Sequence, residues 1–226
     1  MSGGLLVFDM DGVLVDVSES YRETIARTVE HFTGRQPSRA QIQDFKNQGG
    51  WNNDWELSHR LIQELGGKAG YDAVVDRFQR IFLGDGGEGL ILRERWIART
   101  GVLERLGGRF QLAIFTGRLR DELRLTLDRF APAIRFDPTV TTEDVTRTKP
   151  APEGLLRIAE LAPARPLWYI GDTVDDARCA KAAGVAFIGV ATPSNPRHAE
   201  LAGLLGAEGA VAVLDDINQL EAVLPR

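Results

Sequence analysis

Short apolar runs, each bounded by Gly, Asp or Pro, recur along this chain. Those that read best as buried strands are Leu5–Asp9, Gln111–Thr116, Leu167–Gly171, Ala186–Val190 and Val211–Leu214. Helical patterns lie between most of them, and that alternation predicts βα units and a parallel sheet. A weaker strand is expected near Ile134–Val140, interrupted by Pro138. From Pro193 on, the pattern predicts a helix over His198–Leu205, the last strand, and a final helix over Ile217–Leu224.

The stretch from Asp16 to Gly89 breaks this alternation and holds no convincing strand. Tyr21, Ile25, Val29 and Phe32 form one helical stripe. Ser38 is placed to cap a second helix carrying Ile42 and Phe45. A third is expected to start at Asn53 or Asp54, carry Trp55, Leu61, Ile62 and Leu65, and stop at Gly66-Gly67. A fourth carries Val74, Val75, Phe78 and Phe82, with Gly84-Asp85-Gly86-Gly87 as the return linker. The fold class expected is α/β: a Rossmann-like parallel sheet core, residues 1–15 and 90–226, with an inserted small helical-bundle cap, residues 16–89, over the sheet's carboxyl edge.

Composition narrows the function. At 226 residues the chain can bury a full core. A net charge of −5 and a pI of about 5.3 favour neither nucleic acid nor an anionic membrane as partner. No apolar run is long enough to span a bilayer, and no basic segment precedes the first run, so a soluble cytoplasmic protein is expected. The single cysteine, Cys179, excludes an internal disulfide and a cysteine-based metal site. The scattered His31, His59 and His198 do not suggest a zinc site. Only four lysines occur (Lys46, Lys68, Lys149 and Lys181), so each is less readily dismissed as surface charge.

Candidate chemistry lies at the strand ends. The first run closes in Asp9-Met10-Asp11-Gly12. Two carboxylates there sit where open α/β sheets place ligands, although a turn with a capping aspartate also fits. Gly12 would let the backbone turn tightly, and clustered carboxylates suit Mg²⁺. Asp172 closes another strand, with Asp175 and Asp176 in the helical turn that follows. Capping by Asp172 or Thr173 explains that segment locally. Convergence of Asp9, Asp11 and Asp172 on one cation explains both strand ends, with Asp175 or Asp176 orienting its waters.

Thr116 and Gly117 end a third strand and offer a hydroxyl and an N–H at a helix start, a phosphate site. Taken alone, Thr116 reads better as a helix cap, and Arg118 and Arg120 as solvated helix residues. Pro150 keeps Lys149 in a loop, where it can neutralise phosphate and carboxylates or simply face solvent. The polar, glycine-bearing segment from Phe45 to Asp54 reads as a helix–helix turn or as a substrate-reading loop. Its Lys46, Trp51, Asn52 and Asn53, together with Arg118, are the candidates for substrate specificity.

The ordered set Asp9-x-Asp11-Gly12, Thr116-Gly117, Lys149-Pro150 and Gly171-Asp172-x-x-x-Asp176 resembles the four motifs of the haloacid dehalogenase-like hydrolase superfamily over nearly the whole chain. The helical insert resembles that family's small cap, in the branch of phosphoglycolate phosphatases and β-phosphoglucomutases. The resemblance implies a Mg²⁺-dependent phosphoric monoester hydrolase that forms an aspartyl-phosphate on a small phosphorylated metabolite. It makes Asp9 the nucleophile and Asp11 the acid/base. It places Mg²⁺ on Asp9, the Asp11 carbonyl and Asp172, and phosphoryl oxygens on Thr116, Gly117 and Lys149.

Asp11 separates this chain from dehalogenases and phosphonate-cleaving members, which lack an aspartate there, and leaves Lys46 to be read as an anion-binding residue. The Lys46–Asp54 loop resembles a bacterial clade partly associated with histidine biosynthesis. That sets histidinol phosphate beside phosphoglycolate as a substrate. The alternatives are a phosphomutase of the β-phosphoglucomutase type and, further off, a receiver-like phospho-acceptor without turnover.

Overall fold

The apolar runs fold as strands close to their expected limits, and the acids that follow them stand just outside. The computed structural model describes residues 3–86, 88–163 and 166–225; Gly87 of the expected linker lies outside them. In chain order the elements are β1 (Leu5–Phe8), β2 (Val15–Asp16), α1 (Tyr21–Thr33), α2 (Arg39–Gln48), α3 (Asp54–Glu64), α4 (Tyr71–Leu83), β3 (Arg95–Trp96), α5 (Val102–Gly107), β4 (Gln111–Phe115), α6 (Arg120–Phe130), β5 (Thr139–Val140), α7 (Glu153–Leu161), β6 (Leu167–Gly171), α8 (Val174–Ala183), β7 (Ala186–Val190), α9 (His198–Ala207) and β8 (Ala212–Leu214). Short 3₁₀ turns cover Leu90–Arg93, Thr142–Asp144 and Ile217–Ala222.

The chain divides into two compact units, one of residues 1–15 and 96–226, the other of residues 16–95. In the first, six parallel strands run in the order β5-β4-β1-β6-β7-β8. The order reverses beside β1, so the carboxyl ends of β1, β4 and β6 flank a topological switch point, where such sheets bind ligands. Leu5 pairs in register with Gln111 on one side and Leu167 on the other, which brings the three strand ends level.

Alternation along the strands fills both faces of the sheet. Leu5, Val7, Ala113, Phe115, Tyr169 and Phe187 form one core with Leu155, Ile158, Cys179, Leu201 and Leu205 of the helices. Leu6, Phe8, Leu112, Ile114, Ile170 and Ile188, one position out of phase, are also buried.

Two expectations need correcting. The strand near Ile134–Val140 shrinks to Thr139–Val140, because Pro138 has no N–H for the ladder and only its carbonyl bonds, to Ile114 N–H. The final helix is a 3₁₀ turn over Ile217–Ala222, started by the Asp216 cap and too short for α-helical propagation before Pro225.

In the second unit the helices follow their apolar stripes. Helices α1, α3 and α4 pack on one another through Ile25, Val29, Leu57, Leu61, Ile62, Val74, Phe78 and Phe82. Tyr21 lies with its ring centroid 4.0 Å from that of Phe82. Phe32 and Trp55, at the ends of their stripes, are half-buried. Ser38 and Gln41 cap α2 reciprocally, and Asn53 Oδ1 caps α3 by accepting from Trp55 and Glu56 N–H. The unit reaches Arg95 rather than position 89, because Leu90 and Ile91 are buried and their turn packs on α1 and α4.

Candidate active site

Asp9 follows β1 directly, and its N–H still donates to Ile170 O at 2.8 Å, so the ladder fixes its position. The chain then turns sharply: Met10 O accepts from the N–H groups of Val13, Leu14 and Val15, and Gly12 N–H donates to Val15 O at 2.8 Å. Gly12 has φ +72°, and a Cβ there would lie 1.9 Å from Asp172 Oδ2. Glycine is thus required twice, for the left-handed backbone and for the approach of the turn to Asp172.

Asp172 follows β6, and Thr173 caps α8. Thr173 and Asp176 form a capping box: Asp176 N–H donates to Thr173 Oγ1 at 3.1 Å, while Asp176 Oδ2 accepts from Thr173 N–H at 3.0 Å and its hydroxyl at 2.7 Å. Asp176 Oδ1 accepts from the Tyr169 hydroxyl at 2.6 Å. The Lys149 ammonium lies 2.8 Å from that oxygen and 3.0 Å from Asp9 Oδ1. All three charged groups are buried. The ammonium also lies 4.9 Å from the Phe115 ring centroid and 5.4 Å from that of Tyr169.

These neighbours set the charge states. Burial pushes the Asp9 carboxyl up to about 7, against the pull of Lys149 and with the repulsion of Asp176 and Asp11 added. Asp176 is also opposed by burial, but Lys149 and the hydroxyls of Thr173 and Tyr169 hold it below the usual carboxylate range. Lys149 is held above the usual lysine range, because the two carboxylates outweigh its own desolvation.

Asp9, Asp172 and Asp176 each offer a carboxylate oxygen, all within 4.8 Å of one another. An all-oxygen, anionic donor set fits a hard divalent cation such as Mg²⁺. The carboxylate of Asp11, expected near the same cation, points elsewhere: it pairs with Arg118. Asp176, expected behind the metal with Asp175, is occupied by Lys149, Tyr169 and Thr173. Asp175 is buried on α8.

At the end of β4, Thr116 is buried, donates its N–H to Val140 O at 3.0 Å, and accepts at its hydroxyl from Arg118 N–H at 3.2 Å. Gly117 is exposed, but α6 begins only at Arg120 after a Leu119 cap, so Gly117 is in a turn and Thr116 is not the helix cap. Arg120 matches its reading as a surface residue, paired with Asp144. Arg118 does not, being buried.

Within the helical unit, Lys46 is also buried. Its ammonium donates to Trp51 O at 2.7 Å, Asn52 O at 3.3 Å and Asp54 Oδ1 at 2.5 Å. All three protons are therefore directed to the loop itself, which leaves no donor for the anion that the sequence suggested. Trp51 packs edge-on against Phe45, and Asn53 is the α3 cap.

Sequence reasoning passed over Tyr169 and Thr126 as well as the pairing of Arg118. Tyr169 carried a signal: a phenol inside a buried run must find a partner for its hydroxyl. So did Thr173 and Asp176, spaced as a capping box.

The chain is similar to known proteins in sequence and in fold. A protein from Phytophthora nicotianae named imidazoleglycerol-phosphate dehydratase is 34% identical over 197 residues, which cover 83% of this chain and 43% of that protein. This chain thus spans less than half the length of that relative. Pyrophosphatase PpaX of Bacillus velezensis is 27% identical over 192 residues, covering 82% of each. A haloacid dehalogenase-like hydrolase structure from Bacteroides fragilis superimposes with a TM-score of 0.76 at 23% identity, covering 96% of this chain and 99% of that one. The strand ends that carry Asp9, Thr116 and Asp172 all fall within residues 6–190, and over that span the chain matches, and belongs to, the haloacid dehalogenase-like hydrolase family.

Proposed function

We propose that this chain is a Mg²⁺-dependent phosphatase that cleaves a small phosphorylated metabolite through an aspartyl-phosphate. In this reading residues 1–15 and 96–226 form the catalytic core and residues 16–95 the cap. The strongest support is the buried placement of Lys149 between Asp9 and Asp176 at the switch point of the sheet. A cation fixed there has no packing purpose and a clear electrostatic one. It faces the carboxylate that would attack phosphorus and can reach the oxygens of the phosphoryl group.

Asp9 would attack phosphorus, and Asp11 would give its proton to the departing alkoxide. Asp11 would then take a proton from water as that water displaces Asp9 and releases phosphate. Asp9 and Asp172 would hold Mg²⁺, with Asp176 shaping the site behind them. The bound cation supplies positive charge that offsets repulsion between carboxylate and phosphate. Gly117 N–H, the Thr116 hydroxyl and Lys149 are the candidate donors to the phosphoryl oxygens.

The relatives' names rank the substrates to try. An imidazole-bearing phosphate ester appears in the name of the Phytophthora relative, and histidinol phosphate combines the same two groups. Phosphoglycolate and pyrophosphate come next, the latter from the Bacillus name. Phosphate release from a panel of such compounds with Mg²⁺ tests the reading. Asp9→Asn should abolish release while leaving the fold intact, and equal turnover by that variant would overturn the mechanism. A mutase would instead show isomerisation stimulated by a sugar bisphosphate.

A further inference from the structure

Among the described residues, Arg118 is one of the largest fully buried side chains. A guanidinium in that position needs a counter-charge, and Asp11 supplies it across 107 positions of sequence. Nε donates to Asp11 Oδ1 at 2.9 Å, and Nη2 donates to the same oxygen. Nη1 donates to the Thr126 hydroxyl of α6 at 2.7 Å. The backbone is tied on both sides: Arg118 N–H donates to Thr116 Oγ1, and Arg118 O accepts from Thr142 N–H. The Asp11 side chain is nonetheless 31% exposed, against 1% for that of Arg118.

We propose that Arg118 is a positioning residue for proton transfer by Asp11, an inference that rests on the phosphatase reading. Two donors converging on Oδ1 fix the rotation of the carboxylate and leave Oδ2 to exchange protons. In the first half-reaction an Asp9 oxygen bonds to phosphorus, the bond from phosphorus to the ester oxygen breaks with its electron pair on that oxygen, and the proton on Asp11 Oδ2 moves to it. In the second, a water oxygen bonds to phosphorus, the Asp9–phosphorus bond breaks, and the water's proton returns to Oδ2. Lysine gathers its donors on a single nitrogen and cannot reproduce the planar fork that reaches Asp11 with one edge and Thr126 with another.

Leaving groups test this. An alkyl phosphate needs the proton from Asp11, whereas p-nitrophenolate departs with little help. The parameter kcat/KM covers the steps through loss of the leaving group, so it isolates the first transfer. Arg118→Ala and Arg118→Lys should lower kcat/KM about 100-fold on the best alkyl phosphate and less than about 5-fold on p-nitrophenyl phosphate. Guanidinium ion added to Arg118→Ala should restore only the alkyl reaction. Thr126→Val, which keeps the Asp11 pair and removes the hydroxyl that Nη1 bonds, should show the same bias on a smaller scale and covers the case in which the Arg118 variants do not fold. Equal losses on both esters in folded variants, or no loss on either, would overturn the proposal. Wild-type protein that hydrolyses neither ester would overturn the phosphatase reading itself.

Discussion

The Lys149 ammonium lies 2.8 Å from Asp176 Oδ1, and both groups are buried. Asp176 thus joins the α8 cap to the centre of the site, since it also accepts from Thr173 and Tyr169. Replacing it by Asn keeps the shape and removes the charge. Among the described residues the ammonium then keeps the Asp9 carboxylate, 3.0 Å away, as its ion-pair partner. Asp176→Asn is expected to cost about 3 kcal/mol in urea unfolding, the lower part of the range for breaking a buried pair. A loss below about 1 kcal/mol would mean that solvent reaches the cation.

The raised Asp9 carboxyl gives the metal-free protein a pH signature. Its folded value is about 7 against an ordinary 3.8, so folding favours the protonated form. Its contribution to stability is complete below about pH 4 and is lost as pH rises through about 7, at up to about 1.4 kcal/mol per pH unit. Asp9→Asn removes that slope, so the variant should gain on the wild type across this window and run parallel to it above. Mg²⁺ draws on the ionised form, so its affinity should rise about tenfold per pH unit toward pH 7 and then flatten. Calorimetric titration in buffers of different ionisation enthalpy would record the released proton, and affinity independent of pH would contradict the assignment.

Gly12 offers a separate probe of the cation site. Alanine there would carry a left-handed φ and place its Cβ 1.9 Å from Asp172 Oδ2. Strain of about 1–3 kcal/mol is expected, together with displacement of Asp172. Thermal melts with and without Mg²⁺ separate the two effects. The variant should melt lower and lose most of the metal-dependent gain, whereas a full Mg²⁺ response would place the cation away from Asp172.

The sheet and the acidic strand ends were legible because a parallel sheet buries both faces and leaves polar residues only where the strands stop. Asp9 and Asp172 stand out against that rule. Arg118 did not, since an arginine after Thr-Gly looks solvated until Asp11 is known to lie beside it. The same limit applies to Asp176, whose spacing from Thr173 reveals a cap but not the ammonium of Lys149. Local elements follow from local pattern, while charge pairing between distant strand ends depends on the topology. Lys46 failed for another reason. Its scarcity as a lysine suggested function, but two of its three partners are backbone carbonyls that no side-chain pattern announces, and the third is Asp54 at the end of the same loop.

Lys46 is therefore expected to act on its own loop. Removing the ammonium in Lys46→Ala leaves Asp54 without its cation and the carbonyls of Trp51 and Asn52 without their donor. The pair is largely buried, so the loss should approach 3 kcal/mol within the helical unit. Amide exchange between Gly49 and Asn53 should accelerate well before the rest of the chain is affected. Lys46→Met, which keeps the aliphatic stem, should accelerate exchange as strongly, since the stem is not what holds the loop. If exchange stayed at wild-type rates while KM for the best substrate rose, Lys46 would be an anion-binding residue after all.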